Sequence, residues 1–325
     1  MSYREKPQPS IRVLRAGPLA LLQDSGRFGV RHLGVTQGGP ADLYSWAWAN
    51  HLTGNSWGTA NLEITFGGLL LVAERDLNIA IAGADLGATL NNEPVPLWQR
   101  VRWKEGEVLA FARPMSGLRA YLAVCGGFVA EPVLGSVASV VREELGGFSG
   151  KGCKLEEGDL LSVHAGGKNS GPGSMQAPKE AQPDFSQPAV LDLLPGAQIA
   201  HFAGRSLFDA FNTWWQVDDR ADRMGVRLIG PKLYCNTRSL VSEGINLGGV
   251  QVPPDGQPIV LLNDRQTIGG YPRLGSLSPL SASRLAQCLP KQRVRLVASG
   301  HEAALRELRL FRRQFECVRD NNVML

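Results

Sequence analysis

Residues 251–272 read QVPPDGQPIVLLNDRQTIGGYP. The apolar run Pro258 to Leu262 is long enough for one short strand. Asp255-Gly256 on one side and Gly269-Gly270 on the other are hairpin-turn signals, because glycine adopts the positive φ such turns require. A buried strand needs only turn residues at its ends. Here the ends also carry Gln251, Asp255, Gln257, Asn263, Asp264, Arg265, Gln266, Thr267 and Tyr271. Either these side chains are exposed decoration on a hairpin, or they line a site that binds something polar.

Short apolar stretches recur along the chain. Leu77 to Gly83, Glu107 to Ala112 and Leu118 to Val124 alternate as strands should, and Gln198 to Phe202, Val226 to Ile229 and Arg293 to Val297 extend the pattern. All are set off by Gly, Pro, Asn or Asp. Gly and Pro make up about 18% of the chain, against roughly 12% in an average protein, and this excess implies many turns. There is no regular strand–helix alternation. A doubly wound parallel sheet is therefore disfavoured, and barrels or sandwiches fit better.

Four helices punctuate the strands. Pro40 suits a first helical turn, with Ala41 to Leu52 following and Gly54 as the stop. Ser206 is placed to cap a helix through Trp215. Ala282 to Leu289 ends at Pro290. From His301, Leu308, Phe311, Phe315 and Val318 recur at three- and four-residue steps and give one apolar stripe. The segment 166–188 is rich in Gly, Pro, Ser and Gln and reads as a linker or long surface loop. It divides the chain into domains at 10–165 and 189–325. Arg27-Phe28-Gly29-Val30-Arg31 in the first echoes Arg223-Met224-Gly225-Val226-Arg227 in the second. If the halves are duplicates, the two arginines occupy equivalent places.

Composition narrows the function. The chain has 325 residues, 43% hydrophobic and 20% charged, with a net charge of +4. That charge is too small and too evenly spread to argue for nucleic acid. No run approaches the roughly 18 apolar residues of a membrane span. The start, MSYREKPQPS, lacks the apolar core of a signal peptide, which predicts a cytoplasmic protein. The five cysteines and five histidines show no metal-ligand spacing, so no metal site is expected. Cys125 before Gly126-Gly127 ends an apolar strand and reads as buried rather than nucleophilic.

Two clusters could carry chemistry. In the first, Arg27 precedes Gly38-Gly39-Pro40-Ala41-Asp42, and a glycine pair ahead of a helix can offer backbone N–H groups to a carboxylate or phosphate. A tight turn with an ordinary cap is the plainer alternative. Neither GxxxxGK[ST] nor GxGxxG after a strand is present. The second joins Asp222-Arg223, Ser242-Glu243-Gly244 and the opening stretch. Gln and Asn match the donor and acceptor of an amide together, and Arg matches a carboxylate bidentately. Gly269-Gly270 lets a backbone approach a ligand. Asp222, Glu243, Asp255 and Asp264 are candidate bases, and Arg223 and Arg265 candidate anion partners.

SEGINLGGVQVPPDGQPIVLLNDRQTIGGYP, preceded by DRMGVRLIGP, resembles the family of 5-oxoprolinase C subunits, also called allophanate hydrolase subunit 2 or the urea amidolyase-related carboxyltransferases. QDSGRFGVRHLGV, GGPADLYSWAWANHLTGN, LEITFGG, GLRAYLAVCGG and LGS agree, in the same order, over about residues 11 to 300. The resemblance implies a mainly β chain of two cyclophilin-like β-barrel domains. It implies one subunit of an ATP-dependent enzyme that opens 5-oxoproline to glutamate, beside a companion of related fold and a lactam-utilisation-type subunit. Related chains in urea carboxylases take a carboxyl group from biotin, and others antagonise a kinase inhibitor. Both are alternative readings. In the carboxylases an Asn sits near the biotin ring where this chain has Gln251. The chain has neither a biotin-bearing Met-Lys-Met segment nor an ATP signature, so ATP would be handled elsewhere in the complex.

Overall fold

The computed structural model describes residues 9–164, 175–237 and 240–316. Its first half is built on two antiparallel sheets. One contains Leu160–Ser162, Pro9–Arg15, Leu70–Ala73, Val108–Ala110, Thr89–Leu90 and Glu93–Pro94, in that order. The other contains Leu19–Gln23, Asn61–Thr65, Ser116–Val124, Leu77–Asp85 and Arg100–Trp103. The strand Leu77–Asp85 shows why they stack. Its isoleucines, Ile79 and Ile81, enter the core between the sheets with Leu62, Ile64, Leu71 and Leu122. Its alanines, Ala80 and Ala82, face the opposite way, against helix α1 (Leu43–Thr53). Period-two alternation of a large and a small apolar residue thus serves a core on one face and close helix approach on the other.

The second half is a closed barrel. Its strands run Ala189–Pro195, Arg273–Leu277, Gly249–Gln251, Ile259–Leu261, Gly225–Ile229, Trp214–Val217 and Arg293–Ala298, which returns parallel to the first. Closure leaves no free edge. Val250, Val260, Leu228, Leu274, Trp215, Val294 and Leu296 fill the interior. A two-stranded ribbon, Glu243–Gly244 with Ile268–Gly269, stands apart from the barrel. The chain is mainly β, as expected, and among the described residues the closed ring lies in the second half. Strands form only where the ladder is complete, so the apolar run at the opening stretch narrows to Ile259–Leu261.

Three further helices follow: α2 (Gly204–Asn212), α3 (Pro279–Ala286) and α4 (His301–Glu316). Several local expectations shift. Helix α1 begins two residues beyond Ala41, because the Asp42 carboxylate caps the N–H groups of Tyr44 and Ser45. Gly54 closes it at a left-handed φ, as predicted. Ser206 lies inside α2 and accepts from the Tyr234 N–H instead of capping the helix. Residues 199–201 form a 3-10 turn rather than a strand. Val318 lies outside the described residues.

The segment expected to be a linker is split in outcome. Residues 165–174 lie outside the described part, and the remainder is docked. Ala177 and Phe185 are buried beside α1, and the Met175 carbonyl accepts from the Arg100 N–H. Helix α4 ends on the same helix: Phe311 stacks on Tyr44, and Phe315 meets Trp48 and His51 edge-on. A helix from the second half therefore straps onto the first. The RxGVR echo does not extend to local structure. Residues 27–31 follow a strand and lead into a 3-10 turn, whereas 225–227 are themselves strand.

Candidate functional site

Where the halves meet, a buried polar network replaces apolar packing. Glu63 and Tyr121 sit directly opposite on neighbouring strands, and the phenol donates to the Glu63 carboxylate at 2.8 Å. Arg223 enters from the second half. It binds Asp264 bidentately at 2.8 and 2.9 Å, reaches the other Glu63 oxygen, and donates to the Gly39 carbonyl at 2.7 Å. Arg119 stands 3.7 Å from Glu63 and donates to the Ala286 carbonyl at the end of α3. Two arginines and two carboxylates balance in a volume closed to water, which is what makes their burial tolerable.

The electrostatics follow from this arrangement. Burial alone would raise the Glu63 pKa, but the guanidiniums of Arg223 and Arg119 outweigh it and hold the group below the usual carboxylate range. Asp264 shares only one arginine and feels the Glu63 charge, so burial wins and its pKa rises. For Arg223, burial is opposed and overcome by Asp264 and Glu63, and its pKa rises. Asp42 is fully buried and raised by desolvation. Its oxygens are taken up by Tyr44, Ser45 and Gln287.

Gly38 and Gly39 both adopt positive φ, +65° and +88°. A Cβ at Gly38 would come within 2.9 Å of Val140, so the turn demands glycine. Their N–H groups are not free for an anion. Gly38 donates to the Asn263 carbonyl, Gly39 to the Gln23 side chain, Ala41 to Glu63 and Asp42 to Tyr121. The Asn263 amide donates back to the Gly38 and Pro40 carbonyls. Arg27 is buried on the same loop and donates to the carbonyls of Val133 and Ala138. This part of the junction is a tight turn locked between the halves.

The residues singled out at the ends of the 259–261 strand part company. At one end Asp255 accepts from the Gln257 N–H and pairs with Arg227, while Gln257 grips the Gly230 backbone through both amide atoms. Asp222 likewise folds a turn, accepting from Met224 and Gly225. At the other end, Asn263 and Asp264 join the junction and Arg265 turns towards the ribbon. Glu243, on the ribbon, pairs with Arg273. Gln266 and Thr267 are half-buried beside it, and Tyr271 is exposed.

Uncompensated polarity gathers at the ribbon. Arg265 is buried, bound to the carbonyls of Leu262 and Ile245, and has no carboxylate partner among the described residues. Burial, then the neighbouring Arg31, lowers its pKa to about 10. Arg31 comes from the first half and donates to the same Ile245 carbonyl and to that of Thr267. Gln251 is buried under the same ribbon, its Nε2 without a hydrogen-bond partner among the described residues. A Cβ on Gly269 would lie 2.8 Å from that nitrogen, so Gly269 lets the ribbon cover it. Gly270 is equally tight, against the Leu240 carbonyl. Arg31 is distant in sequence from this site, and its place in the RxGVR echo is the only local signal that marks it.

The Cys125 thiol is buried, donates to the Thr53 carbonyl, and is raised in pKa by desolvation. Among the described residues no group of His, Cys, Asp and Glu gathers to hold a metal, and no helix is long and apolar enough to cross a membrane.

Residues 33–298 match the family model described as carboxyltransferase domain, subdomain A and B. The chain belongs to this carboxyltransferase family. Among relatives, it is 38% identical over 308 residues to the C subunit of the Escherichia coli 5-oxoprolinase, covering 94% of this chain and 96% of that one. It is 33% identical to the C subunit of the Haemophilus influenzae 5-oxoprolinase, covering 85% and 87%. The crystal structure of Kluyveromyces lactis urea carboxylase superposes with a TM-score of 0.89 at 25% identity, over 99% of this chain. The chain spans only 30% of that larger protein. The carboxyltransferase match thus includes both halves and the junction between them.

Proposed function

We propose that the chain is the C subunit of a 5-oxoprolinase, opening a lactam to an amino acid at the expense of ATP, and that the ribbon region holds the lactam. One observation carries the reading. Arg31 and Arg265, two guanidiniums without carboxylate partners among the described residues, meet at the Ile245 carbonyl beside the ribbon, and the unpartnered amide of Gln251 lies under Gly269 of that ribbon. 5-Oxoproline presents a carboxylate and a planar amide. The guanidiniums suit the first and the Gln251 Nε2–H suits the carbonyl of the second. A buried donor without a partner costs roughly 1–3 kcal/mol, which a bound carbonyl would recover. The Nε2 is covered, so the 243–244/268–269 ribbon lifts to admit substrate. Of the four candidate bases, Glu243 alone lies on that ribbon.

ATP does not fit this chain's glycine turn. The N–H groups around Gly38-Gly39 are taken by Gln23, Asn263, Glu63 and Tyr121, which leaves no phosphate cradle. ATP chemistry falls to companion subunits, one of related fold and one of lactam-utilisation type. A second reading, a carboxyltransferase receiving its carboxyl group from biotin on another chain, is favoured by the family description and the urea carboxylase superposition.

The test is 5-oxoproline-dependent ATP hydrolysis by this chain with its companions, each omitted in turn. Turnover is expected only from the full set, and Arg31→Met should raise KM about tenfold, a loss of about 1.4 kcal/mol of carboxylate binding. No 5-oxoproline turnover by the full set, with biotin-dependent carboxylation of urea in its place, would transfer the assignment to the second reading.

A further inference from the structure

A pocket of about 340 Å³ opens beside the first turn of α1, away from the ribbon. Small-molecule sites run from roughly 300 to 1,000 Å³, so this one suits a ligand of amino-acid size. Its walls come from both halves: the start of α1, the docked segment 180–185, the strand Ala189–Pro195, α3 and α4. Phe185 and Leu280 supply apolar surface.

The charges in the pocket are placed but not paired. Asp192 and the more exposed Glu307 and Glu180 are acids, and Arg284 is a cation on the same wall system. Among the described residues no salt bridge joins Arg284 to either acid. The Asp192 backbone is pinned by Ser281, whose Oγ accepts its N–H at 2.8 Å. Glu307 accepts a long hydrogen bond from Ser278, at 3.4 Å. Burial, and then the Asp192 charge, raise the Glu307 pKa, so a cation between the two acids relieves a repulsion. Asp42 also lines the pocket but is saturated by its own partners.

We propose that this pocket is a second, non-catalytic site for a small α-amino acid, its ammonium between Asp192 and Glu307 and its carboxylate on Arg284. Naming the ligand rests on the 5-oxoprolinase reading. The lactam nitrogen is an amide and carries no charge, whereas ring opening releases a basic amine. A pocket lined by several acids and one arginine therefore distinguishes product from substrate by charge alone. Because the walls belong to both halves, occupancy ties the junction together, which makes the pocket a place for product feedback.

Isothermal titration calorimetry of the whole purified chain tests this, with L-glutamate, glutarate and 5-oxoproline as probes. L-Glutamate should bind with one-to-one stoichiometry. Glutarate, which lacks the amine, and 5-oxoproline at this pocket should bind at least about tenfold more weakly. Glu307→Gln and Arg284→Gln should each weaken L-glutamate by about tenfold or more, with melting temperatures confirming that both variants fold. No binding of L-glutamate, or binding unmoved in both variants, overturns the inference, as does loss in Arg31→Met instead. If the complex turns over 5-oxoproline while L-glutamate fails to bind, the pocket inference falls alone. If L-glutamate binds through Glu307 and Arg284 while the complex is inactive on 5-oxoproline, the enzymatic reading falls and the amino-acid site stands.

Discussion

Replacing Arg223 with methionine probes the junction directly. Methionine keeps much of the aliphatic stem but removes two bonds to Asp264, one to Glu63 and one to the Gly39 carbonyl. It strands two buried carboxylates, and only Arg119 remains near Glu63, at 3.7 Å. Breaking one side of a buried ion pair costs about 3–5 kcal/mol, a large part of the roughly 5–15 kcal/mol that holds a domain together. The pH dependence gives a second check. In the native protein the Glu63 pKa is depressed, so its stabilisation is present above the unfolded value of about 4.3 and lost as pH falls through the folded one. In Arg223→Met Asp264 loses its bound guanidinium and Glu63 keeps only Arg119, the Ala41 N–H and the Tyr121 phenol against burial, so both folded values move up. A raised carboxyl pKa destabilises more as pH rises. The deficit should therefore be larger at about pH 8 than at about pH 5.5. Urea unfolding at both pH values measures it, with Arg227→Met as control. Its partner Asp255 is half-exposed, and such pairs contribute about 1 kcal/mol or less. A deficit for Arg223→Met no larger than the control's, or one that grows on acidification, would refute the argument.

Two further substitutions separate site from scaffold. Gln251→Leu removes a buried donor that has no partner among the described residues, so stability should hold or rise slightly while activity of the assembled complex falls at least about tenfold. Gln257→Ala should do the reverse, losing about 1 kcal/mol in urea unfolding through its two bonds to Gly230 and leaving activity unchanged. Phe315→Ala should release the α4 strap from Trp48 and His51, at a local cost of about 3–5 kcal/mol; faster amide exchange confined to α4 and α1 is the expected signature, and unchanged protection would show that α4 is held by other contacts.

Much of the fold was written in local pattern. The Ile/Ala alternation of residues 79–82, the glycine at 54 and the stripe through Leu308, Phe311 and Phe315 each specify an element without reference to distant chain, because side-chain period and backbone sterics act locally. The motifs also sufficed to identify the family. The opening stretch correctly marked an unusual concentration of polar groups, but not which of them face one another. Gln257 and Asp255 ended in a turn because the Gly230 backbone lies within their reach, whereas Arg265 met Arg31 only because the halves close against each other. Glu63 and Arg223 stand 160 positions apart, and nothing in either neighbourhood specifies the other. A buried charge must find an opposite one wherever the chain brings it, so helix, strand and turn could be read from the sequence, while the pairing of Glu63, Arg223 and Asp264, the unpartnered Gln251 and the two-sided pocket at Arg284 were decided by tertiary closure.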